Sequence, residues 1–212
     1  MSKDLVIVFV KNIKLGKVKT RLAETIGDRA AIEVYSKLVD VTRKAIENVN
    51  ADIRIYFSES LENGDWQEYY KAVQKGEDLG ERMRNAFEEG LNDGYESIVL
   101  IGSDLPEIDQ EHITSGLNAL NNKEIVFGPA LDGGYYLVGL STLHDELFEN
   151  KPWSQSSLLE VTLKELDEKK ISYELLKPLN DIDTFEDLVA SNFYKSDKSL
   201  IKRIDQLNDK IH

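Results

Sequence analysis

The run Leu5-Val6-Ile7-Val8-Phe9-Val10 constrains the fold more than any other segment. Its residues are all apolar and mostly β-branched, so a strand built from them has no face to offer water. It must be covered on both sides, as strands are in parallel sheets flanked by helices. The run is too short to cross a membrane. It follows Lys3 and Asp4 and lacks a small-residue cleavage site, so it reads as a core strand of a cytoplasmic protein.

The rest of the chain alternates between two periodicities. Between Arg29 and Asn48, Ile32, Tyr35, Leu38, Val39, Val41, Ala45 and Ile46 follow helical spacing. Ile53–Phe57 reads as a second strand, and Trp66–Val73 and Leu79–Leu91 as helices separated around Gly76. Ser97–Ile101 reads as a buried strand and Asp109–Leu120 as a helix. This order predicts an α/β fold with a mostly parallel, doubly wound, Rossmann-like sheet. Glu124–Phe127 and Tyr135–Leu140 flank Asp132-Gly133-Gly134, a hairpin signal, so an antiparallel hairpin is inserted into that sheet. A helix over Leu158–Leu166, a short strand over Ser172–Leu176 and a short helix over Phe185–Ala190 follow. Residues 196–212 form a C-terminal helix with Leu200, Ile204, Leu207 and Ile211 on one stripe. Such stripes mostly pack on their own domain, and a homodimer contact is the alternative. With no repeat or linker, residues 1–212 read as one domain.

Composition excludes several functions. The formal net charge of −13 opposes non-specific binding to nucleic acid or an anionic membrane. Without cysteine there is no disulfide framework, thiolate zinc site or cysteine nucleophile. His112, His144 and His212 lack metal-ligand spacing. No G-x-S-x-G elbow occurs, and no G-x-G-x-x-G follows the first strand, which counts against serine hydrolases and dinucleotide oxidoreductases. Trp66-Gln67-Glu68-Tyr69-Tyr70 is aromatic but acidic and reads as a packed helix face.

Against that acidic background, the segment KNIKLGKVKTR directly after the first strand carries Lys11, Lys14, Lys17, Lys19 and Arg21 and no acid. Ligands of open parallel sheets bind beyond the carboxyl ends of the strands. There, Gly16 lets backbone approach a phosphate while the cations neutralise a diphosphate. The segment is not a Walker A loop, because Lys11 and Val18 stand where Gly and Ser/Thr belong. Asp104, in Ile101-Gly102-Ser103-Asp104-Leu105-Pro106, falls just past a buried strand. It either shapes a turn or holds a hard divalent cation that bridges phosphate oxygens. Asp132 has a turn reading and a substrate reading, the latter favoured by the adjacent Tyr135-Tyr136. Asp183, three residues before Glu186, reads locally as a capping box, with a metal carboxylate as the alternative.

Six segments in order, GKVKTRLA, GEDLGERM, IGSDLP, GPALDGGYYLVGL, PWSQSS and DIDTFEDL, give the chain a resemblance over nearly its whole length to a bacterial family of glycosyltransferase A-type proteins. Some members are described as arsenosugar-biosynthesis glycosyltransferases. The resemblance implies a nucleotide-diphospho-sugar transferase fold, related to the guanylyltransferases of molybdenum cofactor and coenzyme F420 synthesis. It further implies that Lys11, Gly16, Lys19, Arg21 and Arg82 contact the nucleotide and that Asp104 and Asp183 hold Mg2+ or Mn2+. Gly133, Gly134, Tyr135 and Trp153 would face the acceptor or sugar, with Asp132 a candidate base. The sequence departs from the family at Asn12-Ile13, where prolines are frequent, at Ser154-Gln155, where Gly-Thr is usual, and at Phe185, often proline.

Two reactions follow from that site. The first is transfer of a sugar from a nucleotide-sugar to an acceptor hydroxyl. The second is nucleotidyl transfer to a phosphorylated small molecule with release of pyrophosphate. A nucleotide-binding protein without catalysis is the third reading. Nucleic acid and a membrane span are not expected as partners.

Overall fold

The computed structural model describes residues 2–64 and 66–208, whose strands form a single seven-stranded sheet. In chain order the strands are β1 (Asp4–Val10), β2 (Asp52–Phe57), β3 (Tyr70–Val73), β4 (Ser97–Ile101), β5 (Ile125–Pro129), β6 (Tyr135–Leu140) and β7 (Tyr173–Leu175). Their spatial order is β3-β2-β1-β4-β6-β5-β7. β6 runs antiparallel to both its neighbours, and every other pairing is parallel. The apolar run of β1 lies at the centre, with Leu5, Val6, Ile7 and Val8 fully buried.

Alternate residues of β1 feed two different cores. Val6, Val8 and Val10 pack towards α2 (Asp28–Ile46) and α4 (Gln110–Ala119), through Tyr35, Val39, Ile113 and Leu117. Leu5 and Ile7 pack towards α3 (Leu79–Asn92) and α5 (Leu158–Lys169), through Met83, Phe87 and Leu166. Both faces are covered, as a strand without a polar face requires. A third cluster joins α1 (Thr20–Ile26) and the outer side of α2 to α6 (Phe185–Ala190) and α8 (Lys198–Asn208). Leu200 and Ile204 of the C-terminal stripe are buried there, against their own domain, as most such stripes are. The Leu207 side chain and Ile211 lie outside the described residues. A short helix α7 (Asn192–Ser196) links α6 to α8.

Two local expectations are corrected. Trp66–Val73 is not a helix: Trp66 is left-handed at φ 64°, and Tyr70–Val73 forms β3, paired in parallel with Arg54–Phe57. The side-by-side pairing that β2 offers overrides the weak helical spacing of that segment. Trp66 itself is buried, with the Arg43 guanidinium 4.8 Å above its ring. The capping box of α6 is formed one residue later than expected, by Thr184 and Asp187. The Thr184 hydroxyl accepts from the Asp187 amide at 3.3 Å, and the Asp187 carboxylate accepts from the Thr184 amide at 2.8 Å. Asp183 thereby stays outside the cap.

Candidate active site

The chain builds outward from β1 in both directions, to β2 and β3 on one side and to β4 on the other. The connections therefore leave a crevice between the carboxyl ends of β1 and β4, where ligands of open α/β sheets bind. The basic segment leaves β1 into this crevice, and Gly102-Ser103-Asp104 leaves β4 into it. The end of β5, the start of the antiparallel β6 and the segment after β7 come to the same rim, bringing Ala130, Asp132, Tyr135 and Asp181.

The centre of the rim is an ion pair. Lys19 adopts a left-handed conformation (φ 47°) at the N-cap of α1, which turns its side chain inward. The side chain is only 3% exposed, and its Nζ donates to Asp104 Oδ2 at 2.9 Å. Desolvation works to raise the Asp104 carboxyl. The charge and hydrogen bond of Lys19, with a further contribution from the Lys11 charge, outweigh it and hold Asp104 below the ordinary carboxylate range. Asp181 behaves in the opposite way. Burial and the Asp104 charge, with smaller contributions from Asp132 and Asp183, outweigh Lys19 and push it up to about 6. One carboxylate is thus neutralised and its neighbour is not.

Tyr35 ties the two halves of the rim together from behind. Its hydroxyl accepts from the Lys11 amide at 2.8 Å and lies 2.8 Å from the Ser103 hydroxyl. One buried side chain on α2 therefore fixes the exits of both β1 and β4. Burial raises its pKa to about 12, although the bonds to Ser103 and Lys11 work against this, so it stays a neutral phenol. Asn12 anchors the outer side of the basic segment. Its Oδ1 accepts from the Glu59 and Ser60 amides at 2.8 and 3.2 Å, and its Nδ2 donates to Ser60 O at 2.8 Å and Glu62 Oε1 at 2.7 Å. These bonds fix the loop where proline would have restricted it.

Beside the ion pair lies a cavity of about 260 Å3. Its wall includes Asp104, Asp132, Gly134, Tyr135, Trp153 and Asp181. The roof is the loop through Trp153, and two glycines let it sit low. An added Cβ on Gly80 would meet the Trp153 ring at 2.6 Å. Gly133, at φ +93°, brings its backbone so close to Ser156 that a Cβ would lie 1.9 Å from the Ser156 carbonyl oxygen. Only glycine has both the conformation and the clearance for that position.

The sequence-predicted residues thus divide into groups. Asp104, Asp132, Gly134, Tyr135 and Trp153 line the cavity, Lys19 joins them through Asp104, and Gly133 supports the roof. Gly16 (φ +72°) forms the bend of the basic segment. Arg82 donates from Nε to the Gly76 carbonyl at 3.1 Å, bracing the loop before α3. Arg21 and Asp183 pair with each other at 2.6 Å and stand outside the cavity wall. Sequence reasoning missed Asp181, Tyr35, Ser103 and Asn12. Asp181 and Asp183 flank the fully buried Ile182, and local pattern gives no means of choosing between them.

The donor set has a definite character. Among the described residues no three Asp, Glu or His side chains stand close enough to hold a metal ion unaided. Asp104 and Asp181 repel one another at the rim. Such a pair suits Mg2+ or Mn2+ of the kind held by one or two carboxylates together with substrate phosphate oxygens.

This sheet order, with its rim of lysine and carboxylates, defines an α/β fold of the nucleotide-diphospho-sugar transferase class. The chain belongs to DUF2064, a family described as an uncharacterized protein conserved in bacteria, which it matches over residues 41–155. A nucleotide-diphospho-sugar transferase, so described provisionally, from Desulfovibrio desulfuricans G20 has a similar crystal structure. The two are 30% identical over 99% of this chain and 98% of that one, with a TM-score of 0.85. A 2-phospho-L-lactate guanylyltransferase of Methanocaldococcus vulcanius is 26% identical over 86% of this chain and 82% of its own length. The inositol-1-phosphate CTP transferase of T. maritima shares the fold at 13% identity, with a TM-score of 0.53 over 96% of this chain and 95% of that one. Among the described residues no helix is long and apolar enough to cross a membrane.

Proposed function

We propose that the protein is a nucleotidyltransferase: a phosphorylated small molecule attacks the α-phosphorus of a nucleoside triphosphate and pyrophosphate leaves. The observation that carries this reading is the Lys19–Asp104 pair, which brings a cation from the basic segment to a carboxylate at the β4 exit, beside a cavity for a second substrate. Relatives that span most of the chain and are named for guanylyl transfer favour this reaction over sugar transfer.

An oxygen of the acceptor phosphate forms a bond to the α-phosphorus, and the bond from that phosphorus to the β-phosphate oxygen breaks. Negative charge accumulates on the departing pyrophosphate. Lys19 is positioned to stabilise it, with Lys11 and Arg21 on the same segment and Gly16 giving the phosphates access to backbone. Held cation side chains cost little reorganisation at the moment of reaction, and Tyr35 fixes the segment in advance. A divalent cation held by Asp104 and Asp181 would add positive charge between phosphate oxygens. In this reading Asp181, which lines the cavity with Asp104, takes the place that the family resemblance gives to Asp183, which stands outside the cavity wall. Asp132 and Tyr135 face the acceptor from the cavity wall.

The sugar-transfer reading rests on the same residues and on the description of the Desulfovibrio protein. Incubation with each nucleoside triphosphate, Mg2+ and a set of phosphomonoesters separates the two. Pyrophosphate release that disappears in Asp104→Asn supports nucleotidyl transfer. Nucleoside diphosphate released from a nucleotide-sugar, without pyrophosphate from any triphosphate, would establish sugar transfer instead. Tight nucleotide binding with neither product would leave only the binding role.

A further inference from the structure

The guanylyltransferase relatives are named for 2-phospho-L-lactate, an acceptor with a carboxylate beside its phosphate. Such a group calls for a cationic partner in the acceptor pocket, because a buried carboxylate without one is costly. The cavity in this chain is built differently. Phe9, Met83, Leu100, Val138, Trp153 and Leu158 are among the apolar residues of its wall. No lysine or arginine lines it, and its ionisable side chains other than tyrosine are Asp104, Asp132 and Asp181. Lys19 reaches the cavity only through Asp104, so no cationic side chain of the wall itself meets a ligand there.

The apolar wall carries a neutral hydrogen-bonding group. The Tyr135 ring packs on Phe127 at 5.2 Å between centroids, and among the described residues nothing hydrogen-bonds its hydroxyl. A hydroxyl that opens onto a cavity without a protein partner is placed for a ligand atom. Ser154 and Gln155, also neutral, complete the polar lining on the Trp153 loop.

We propose that the acceptor's body, the part away from its phosphate, is an uncharged and mainly apolar group, aryl or alkyl, and that the cavity discriminates against phosphorylated carboxylic acids. The inference rests on the reading of this cavity as the acceptor site of a nucleotidyltransferase. It adds a substrate class distinct from the one for which the guanylyltransferase relatives are named.

The test measures binding separately from turnover. Trp153 lines the cavity, whereas Trp66 is buried in the opposite core, so ligand entry should change Trp153 fluorescence. The full chain is titrated with phenyl phosphate, butyl phosphate and 2-phospho-L-lactate in the presence of Mg2+ and a non-hydrolysable nucleoside triphosphate analogue. Phenyl and butyl phosphate are expected to bind at least tenfold more tightly than 2-phospho-L-lactate, with the signal lost in Trp153→Phe. Equal or tighter binding of 2-phospho-L-lactate would overturn the proposal. So would the absence of any response to the two apolar esters, or a response that survives in Trp153→Phe. Pyrophosphate release is followed in parallel. Failure to release it from any triphosphate, with the tenfold discrimination intact, would count against the reaction and leave the cavity's preference standing.

Discussion

Replacing Asp181 with asparagine should stabilise the metal-free protein while removing its activity. The carboxyl sits among Asp104, Asp132 and Asp183, and burial with those charges lifts its pKa from 3.8 to about 6. By linkage, the native state binds more protons than the unfolded chain between these two values. Stability is therefore lost as pH rises through the window from about 4 to 6 and stays lost above it. The full shift corresponds to a ceiling of roughly 3 kcal/mol at neutral pH. Asp181 is partly exposed, and solvent screening reduces this to about 1–2 kcal/mol. Asparagine keeps the shape and removes the charge. For a chain of this size the gain corresponds to a rise in Tm of about 3–6 °C. Thermal unfolding in EDTA at pH 7.5 and pH 4.5 tests it. The gain should be full at pH 7.5 and fall to about a third of that at pH 4.5, because native Asp181 is by then mostly protonated while the unfolded carboxyl is still mostly ionised. Added Mn2+ should then raise the wild-type Tm more than the variant's. An unchanged or lowered Tm at pH 7.5, or an equal gain at both pH values, would refute the repulsion argument.

Three further outcomes are expected. Tyr35→Phe leaves the Lys11 amide without its acceptor and the buried Ser103 hydroxyl without its partner, which should cost about 1–2 kcal/mol in chemical denaturation and weaken nucleotide binding, with the acceptor KM nearly unchanged. Lys19→Ala removes the cation and leaves the Asp104 charge uncompensated, so calorimetry should show nucleotide affinity falling at least tenfold; unchanged affinity would remove the basic segment from the mechanism. Gly133→Ala forces a Cβ into the Ser156 carbonyl from a left-handed backbone, so the Trp153 loop should shift; the expected sign is a changed Trp153 emission and a raised acceptor KM, with nucleotide affinity retained.

Much of the frame was legible because it depends on burial alone. Leu5–Val10 has no polar face, so its central place between two helical layers followed from the sequence, as did the strand–helix alternation around it. The hairpin glycines marked the return into β6. Trp66–Val73 was misread because four residues at an edge carry too little pattern to reveal a strand that exists by virtue of β2 beside it. In the site, Lys19 and Asp104 could be named because each follows a recognisable strand end. Their ion pair joins residues 85 apart in the chain, and only the parallel pairing of β1 with β4 creates it. Tyr35 reads from sequence as one more apolar position on a helical stripe, because a phenol's hydrogen bonds are decided by what lies beyond the end of its ring. The choice between Asp181 and Asp183 belongs wholly to the tertiary structure. Local chemistry makes them equivalent, and Arg21, more than 150 residues earlier, neutralises one and leaves the other facing the cavity.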